Sequence, residues 1–261
     1  MNTDLIVVGI DGSPGADLAL DWAIEEAGHR HARLRLLMAA APVPVAVHSG
    51  EGGAAAARRD VPEPLRLAVD RAERALGADR VDAGCAGCGA VELLAEPAGT
   101  AALVVVAAHG DARFPAWRLG STAWRLAREA AAPLVVVRRS SGPRCGVVVG
   151  VDDDSGPELL RFAYRAARDR DAEVRIVHAV GPDRDGVPPP VAAAIATVTA
   201  DFPGVPSHLE VFRSAPVAAL VAASLEAELL VIGRRRTATP DGHRTGRAVL
   251  HRSHCPVAVI P

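Results

Sequence analysis

The sequence predicts an α/β chain of two tandem domains, each a five-stranded parallel sheet with helices on both faces. Three observations lead there. Short β-branched runs such as Val104, Val105 and Val106 are too brief for helices and suit parallel strands buried on both sides. These runs alternate with Ala-, Leu- and Arg-rich stretches that favour helix, such as Ser121 to Ala131. The whole alternation then occurs twice.

In the first copy, strands are expected at 4–10, 32–39, 80–86, 102–107 and 134–138. Helices are expected at 14–29, 63–77, 90–100 and 120–131, with a loop at 108–119. Alternation of this kind implies right-handed crossovers between parallel strands. Ser13-Pro14 opens the first helix, with a capping hydroxyl just before a proline at the first helical position. The Gly- and Ala-rich stretch 42–60 has no periodicity and reads as a mobile loop, with 181–190 as its counterpart. Pro133 stops the last helix.

The second copy follows the first closely. LIVVGIDGS at 5–13 corresponds to GVVVGVDDD at 146–154, and ARLRLLMAAAP at 32–42 to AEVRIVHAVGP at 172–182. AALVVVAAHG at 101–110 pairs with AELLVIGRRR at 227–236, and APLVVVRR at 132–139 with CPVAVIP at 255–261. Two long copies mark a duplication and not a solenoid. The polar stretch Arg138 to Pro143 separates the copies, giving expected domains 1–141 and 142–261.

Composition narrows the function. The 261 residues are 49% hydrophobic but 3% aromatic, so the core rests on Val, Leu, Ala and Ile. A net charge of −2 gives no global reason to expect nucleic acid or an anionic membrane as partner. No lysine is present, which removes P-loop and Schiff-base lysine chemistry. The N-terminus enters a strand without a signal-like segment, no apolar run suits a membrane span, and the four cysteines do not form a disulfide framework. The cytoplasm is the expected compartment.

The stretch from Leu103 to Val137 organises the rest. It reads as strand, glycine loop, helix and strand, with Gly110, Gly120 and Ser121 around the loop. Small residues let a backbone approach a ligand, and the free N–H groups of a helix start carry partial positive charge, which together suit a phosphate. An ordinary turn with a serine cap fits the fragment equally well. In an open sheet, ligands sit beyond the carboxyl ends of the strands where strand order reverses. That puts Asp11, Ala39 and the 110–121 loop on one rim.

The motif Gly-x-x-Gly-x9-Gly-[Ser/Thr] after the fourth strand, VGIDGS after the first, and the closing P-[LV]-V-V-V strand resemble the universal stress protein family. The resemblance covers both halves, as a tandem two-domain member. It implies a Rossmann-like, HUP-type nucleotide-binding fold, ATP as a ligand (with or without Mg), and pairing of the two domains within the chain. A homodimer is a further state that the resemblance admits.

Position by position, the first-domain motif falls on Ala107, Gly110, Gly120 and Ser121. The resemblance implies that Gly110, Gly120, Ser121 and the N–H of Thr122 cradle phosphates, that Asp11 and the backbone near Ala39 meet adenine, and that position 107 lies against ribose. Ala107 departs from the motif by one methyl group. In the second domain the motif falls on Gly233, Arg236, Gly246 and Arg247, so two positions are lost. Nucleotide occupancy is therefore expected in the first domain only.

Other clusters have ordinary readings beside chemical ones. Asp11 is either a base-edge acceptor or a turn acid starting the next helix. Asp152, Asp153 and Asp154 suit a hard cation, or helix capping, the commoner use. His109 and Arg113 either touch phosphate or are solvated. Cys85-Ala86-Gly87-Cys88 is a lone pair that follows a strand, and His251, His254 and Cys255 sit at a helix-to-strand corner. No paired nucleophile and base stands out, so the expected role is ligand sensing, with at most slow ATP hydrolysis. A scaffold acting through protein contacts, or a nucleotide-using transferase, are the other classes.

Overall fold

The computed structural model describes residues 4–39, 61–95, 97–109, 119–139, 146–180, 186–234 and 240–261. The chain divides into two compact units, Met1–Arg138 and Arg139–Pro261.

In the first unit the strands are β1 (Leu5–Gly9), β2 (Arg33–Ala39), β3 (Val81–Ala86), β4 (Leu103–Ala107) and β5 (Leu134–Val137). They lie parallel in the order β3-β2-β1-β4-β5. Register sets Val8 beside both Leu36 and Val105. The helices are α1 (Pro14–Arg30), α2 (Glu63–Leu76), α3 (Ala90–Ala95) and α4 (Ser121–Glu129). α1 packs with α2, and α3 with α4, each pair also meeting the sheet. Ile6, Val7 and Val8 are all fully buried, as are Leu103, Val104 and Val105. Successive strand residues point to opposite faces, so both faces are covered. Each such side chain contributes about 1.5–3 kcal/mol by leaving water.

Helix α1 starts as its sequence dictates. The Ser13 hydroxyl accepts from the Ala16 N–H at 3.1 Å, and Pro14 takes the first helical position. At the other end His31 turns into the left-handed region (φ 53°) and stops the helix. Glu26, almost completely buried, accepts from Arg30 Nε at 2.6 Å one turn on, so the buried carboxylate is paired.

The second unit repeats this plan with β6 (Val147–Val151), β7 (Val174–Ala179), β8 (Ser207–Phe212), β9 (Leu229–Gly233) and β10 (Val257–Ile260). Its parallel order is β8-β7-β6-β9-β10. The helices are α5 (Pro157–Arg168), α6 (Pro189–Asp201), α7 (Pro216–Ala223) and α8 (Pro240–Arg252). Fully buried Tyr164 on α5 exchanges a 2.7 Å hydrogen bond with Thr199 on α6, which satisfies its hydroxyl inside the core.

Two expected boundaries move. The helix expected over 90–100 ends at Ala95 and is followed by a single 3-10 turn, Pro97–Gly99, because Pro97 lacks the N–H and clashes with the preceding turn. The loop expected over 181–190 ends earlier: Pro189 begins α6, where a proline costs no helical hydrogen bond. Residues 181–185 and the stretch 42–60 lie outside the described residues.

Candidate functional site

Strand order reverses between β1 and β4, and a cleft of about 480 Å³ opens at their carboxyl ends. The expected residues come together there. Asp11 follows β1, Ala39 ends β2, Ala107 ends β4, and Gly120, Ser121 and Thr122 form the mouth of α4; all six line the cleft. Gly110 and Arg113 lie outside the described residues.

Local backbone chemistry builds the mouth. The Gly120 N–H donates to the Ala108 carbonyl at 2.7 Å, and the Ala108 N–H to Val137 at 2.8 Å, so the chain leaving β4 and the chain entering α4 are fastened side by side. Gly120 is the N-cap, with an extended backbone and no side-chain cap. Its carbonyl accepts the Trp124 N–H at 3.1 Å, which leaves the amides of Ser121, Thr122 and Ala123 at the helix start, all three at the cleft. Ser121 therefore does not cap α4; it is the first helical residue, exposed at the mouth. Such an array of amides favours negative charge.

Asp11 does perform the turn role. Its Oδ1 accepts the Ser13 N–H at 2.9 Å, holding the turn whose serine caps α1, while the exposed carboxylate stays on the cleft rim. His109 lines the cleft too, and its Nδ1 is buried without a hydrogen-bond partner among the described residues. A buried polar atom in that condition is costly unless something else meets it.

Two contributors escape a motif reading. Leu93 and Leu94 on α3, with Ile10 and Leu37 from the strands, supply an apolar wall; their signal was the short helix after the third strand. Gly15, at the second helical position of α1, lies against the chain beyond β4: a side chain there would overlap the His109 carbonyl. Glycine directly after a helix-opening proline, where alanine is the better helix former, was the available signal.

The second unit has a cleft of about 650 Å³ at the equivalent place. Its entrance differs. Gly246 and Arg247 sit within α8, which already begins at Pro240, so their amides belong to the helix ladder and not to its mouth. Arg236 lies outside the described residues. The triple aspartate forms a closed turn: Asp152 Oδ1 accepts the Asp154 N–H at 3.1 Å and the Ser155 hydroxyl at 2.8 Å. Among the described residues no group of three or more His, Cys, Asp or Glu side chains converges to hold a metal ion. None of the described helices is long and apolar enough to cross a membrane.

Residues 3–138 and 191–261 match the model of the universal stress protein family. The chain belongs to the universal stress protein family. Among curated members, universal stress protein Rv2623 of Mycobacterium tuberculosis is 30% identical over 257 residues, covering 88% of this chain and 86% of that one. Universal stress protein Rv2028c of the same organism is 37% identical over 179 residues, or 66% of this chain and 63% of that one. A crystal structure of a universal stress protein from Archaeoglobus fulgidus covers 98% of this chain and 96% of its own, with a TM-score of 0.67 at 15% identity. That last likeness is one of fold.

Proposed function

We propose that the first unit of this universal stress protein binds an adenine nucleotide, ATP, and acts as a ligand-sensing module in the stress response. The observation that carries the reading is the convergence of six expected residues with a bare helix mouth around one cleft at the switch point. In this reading the amides of Ser121, Thr122 and Ala123 hold the phosphates, with Gly110 and Gly120 giving the backbone room. The apolar wall and the ends of β1 and β2, at Asp11 and Ala39, receive the adenine. Ala107 faces the ribose. The orphaned Nδ1 of His109 supports the reading, because a phosphate or ribose oxygen would give it a partner.

Backbone amides bind and orient but do not exchange protons with a substrate at neutral pH. The proposed role is therefore sensing, with hydrolysis at most slow, and the proposed compartment is the bacterial cytoplasm. Calorimetric titration of the full chain with ATP tests the proposal. One nucleotide per chain is expected, and Gly120→Val should abolish it, since bulk at the N-cap reaches the phosphate seat while an extended backbone (φ −67°) accepts valine without strain. No heat and no thermal shift with ATP would transfer the assignment to a scaffold acting through protein contacts.

A further inference from the structure

Strand β8 is an edge of the second sheet, with β7 as its one neighbour among the described strands. The Val174 N–H donates to the Pro206 carbonyl at 2.9 Å and the Val180 N–H to that of Phe212 at 2.8 Å. Even-numbered residues of β8 thus turn their backbone toward β7. Backbone groups alternate sides along a strand, so the N–H and C=O of Ser207, Leu209 and Val211 face outward.

Edges of this kind are usually blunted by bulges, proline or charge. Here the pairing with β7 runs from Ser207 to Phe212 without a bulge or a proline. Leu209 and Val211, on one face, are 44% and 43% exposed, two of the four large apolar side chains exposed among the described residues. His208 and Glu210 share the other face, 2.9 Å apart. The equivalent edge of the first unit, β3, contains Gly84, which weakens a strand, and exposes no large apolar side chain.

We propose that the β8 edge pairs antiparallel with the β8 edge of a second copy of this chain, with Leu209 on the twofold axis. In that register the two Leu209 residues exchange both backbone hydrogen bonds, and Ser207 of each copy does so with Val211 of the other. Every outward group of the three residues then has a partner. His208 falls opposite Glu210 at two symmetric places, in the closer, non-hydrogen-bonded kind of pair, with Cα atoms about 4.5 Å apart. An imidazole N–H facing a carboxylate is an attractive pair. Sliding by two residues keeps outward groups facing each other but sets Glu210 against Glu210 or His208 against His208, so charge fixes the register. The contact is independent of nucleotide binding in the first unit.

Sedimentation equilibrium of the full chain tests this. Wild type should show a reversible monomer–dimer equilibrium. Leu209→Pro should leave it monomeric, because the N–H it removes faces outward, where an edge strand accepts proline. His208→Glu opposes like charges at two places and should weaken the dimer about tenfold, whereas His208→Gln, which still offers an N–H, should stay within about threefold. The exposed His208 decides the matter if circular dichroism shows Leu209→Pro unfolded. A chain that stays monomeric up to about 1 mM, a dimer that survives Leu209→Pro, or one indifferent to His208→Glu overturns the proposal.

Discussion

Gly15 and His109 are in backbone contact: a methyl group at position 15 would overlap the His109 carbonyl oxygen and come within 3.1 Å of the Ala107 methyl. The first turn of α1 and the exit of β4 therefore frame the cleft together, and only glycine allows that spacing. Gly15→Ala should force them apart, costing about 1–3 kcal/mol of stability. Urea unfolding should show the lower midpoint and calorimetry a weaker response to ATP. An unchanged midpoint would mean that the two segments separate freely, and that the contact does not shape the site.

Ala107 places a methyl on the cleft wall where the proposed ribose lies. Ala107→Gly removes it. ATP affinity should rise about threefold, against a loss of about 0.5–1 kcal/mol in stability from the more flexible backbone. Titration and thermal unfolding separate the two effects. A fall in affinity would show that the methyl is a contact and not an obstacle.

Glu210 on β8 accepts from Arg175 Nε at 3.0 Å and lies 2.9 Å from His208 Nε2. The Arg175 hydrogen bond, the largest influence, holds its carboxyl below the ordinary range, and the His208 contact adds to it against a smaller opposing effect of burial. A group whose folded pKa is depressed contributes stability above its unfolded pKa, about 4.3 for glutamate, and loses it as pH falls through the folded value. Glu210→Gln should therefore be less stable than wild type at neutral pH, and the gap should close on acidification below about pH 4. Urea midpoints measured across that range give the comparison; a gap that widens in acid would reverse the sign of the argument.

The cysteines should differ in reactivity. Cys88 is exposed, Cys255 is completely buried, and burial pushes the thiol pKa of half-buried Cys85 upward. The thiolate is the attacking form, so alkylation by iodoacetamide near pH 8 should follow the order Cys88, Cys85, Cys255. Peptide mass spectrometry reads the order directly. Cys85 reacting first would contradict its burial and its raised pKa.

Much of the frame was legible because strand chemistry is local. Val104 to Val106 and Ile6 to Val8 have no amphipathic alternative, and their burial on both faces follows from the β-branched run itself. The gathering of Asp11, Ala39 and Ser121 on one rim followed from topology alone, since each stands just past a strand or at a helix start. Three things were hidden. The capping role suggested for Ser121 depended on the helix starting one residue later than it does, a difference that propensity cannot resolve. The early start of α8 was masked by motif spacing, which suggests a helix mouth at Gly246; Pro240 is the actual first residue, a position proline favours. The nearness of Gly15 to His109 joins segments far apart in the chain, and no local pattern encodes it.

α8 begins at Pro240, a position that proline favours, whereas β6, β9 and β10 follow from their own aliphatic runs. The receiving end of a doubled fold can thus be rewired without disturbing its frame. The helix starts of the two copies can differ while the parallel strands that carry them keep the same order.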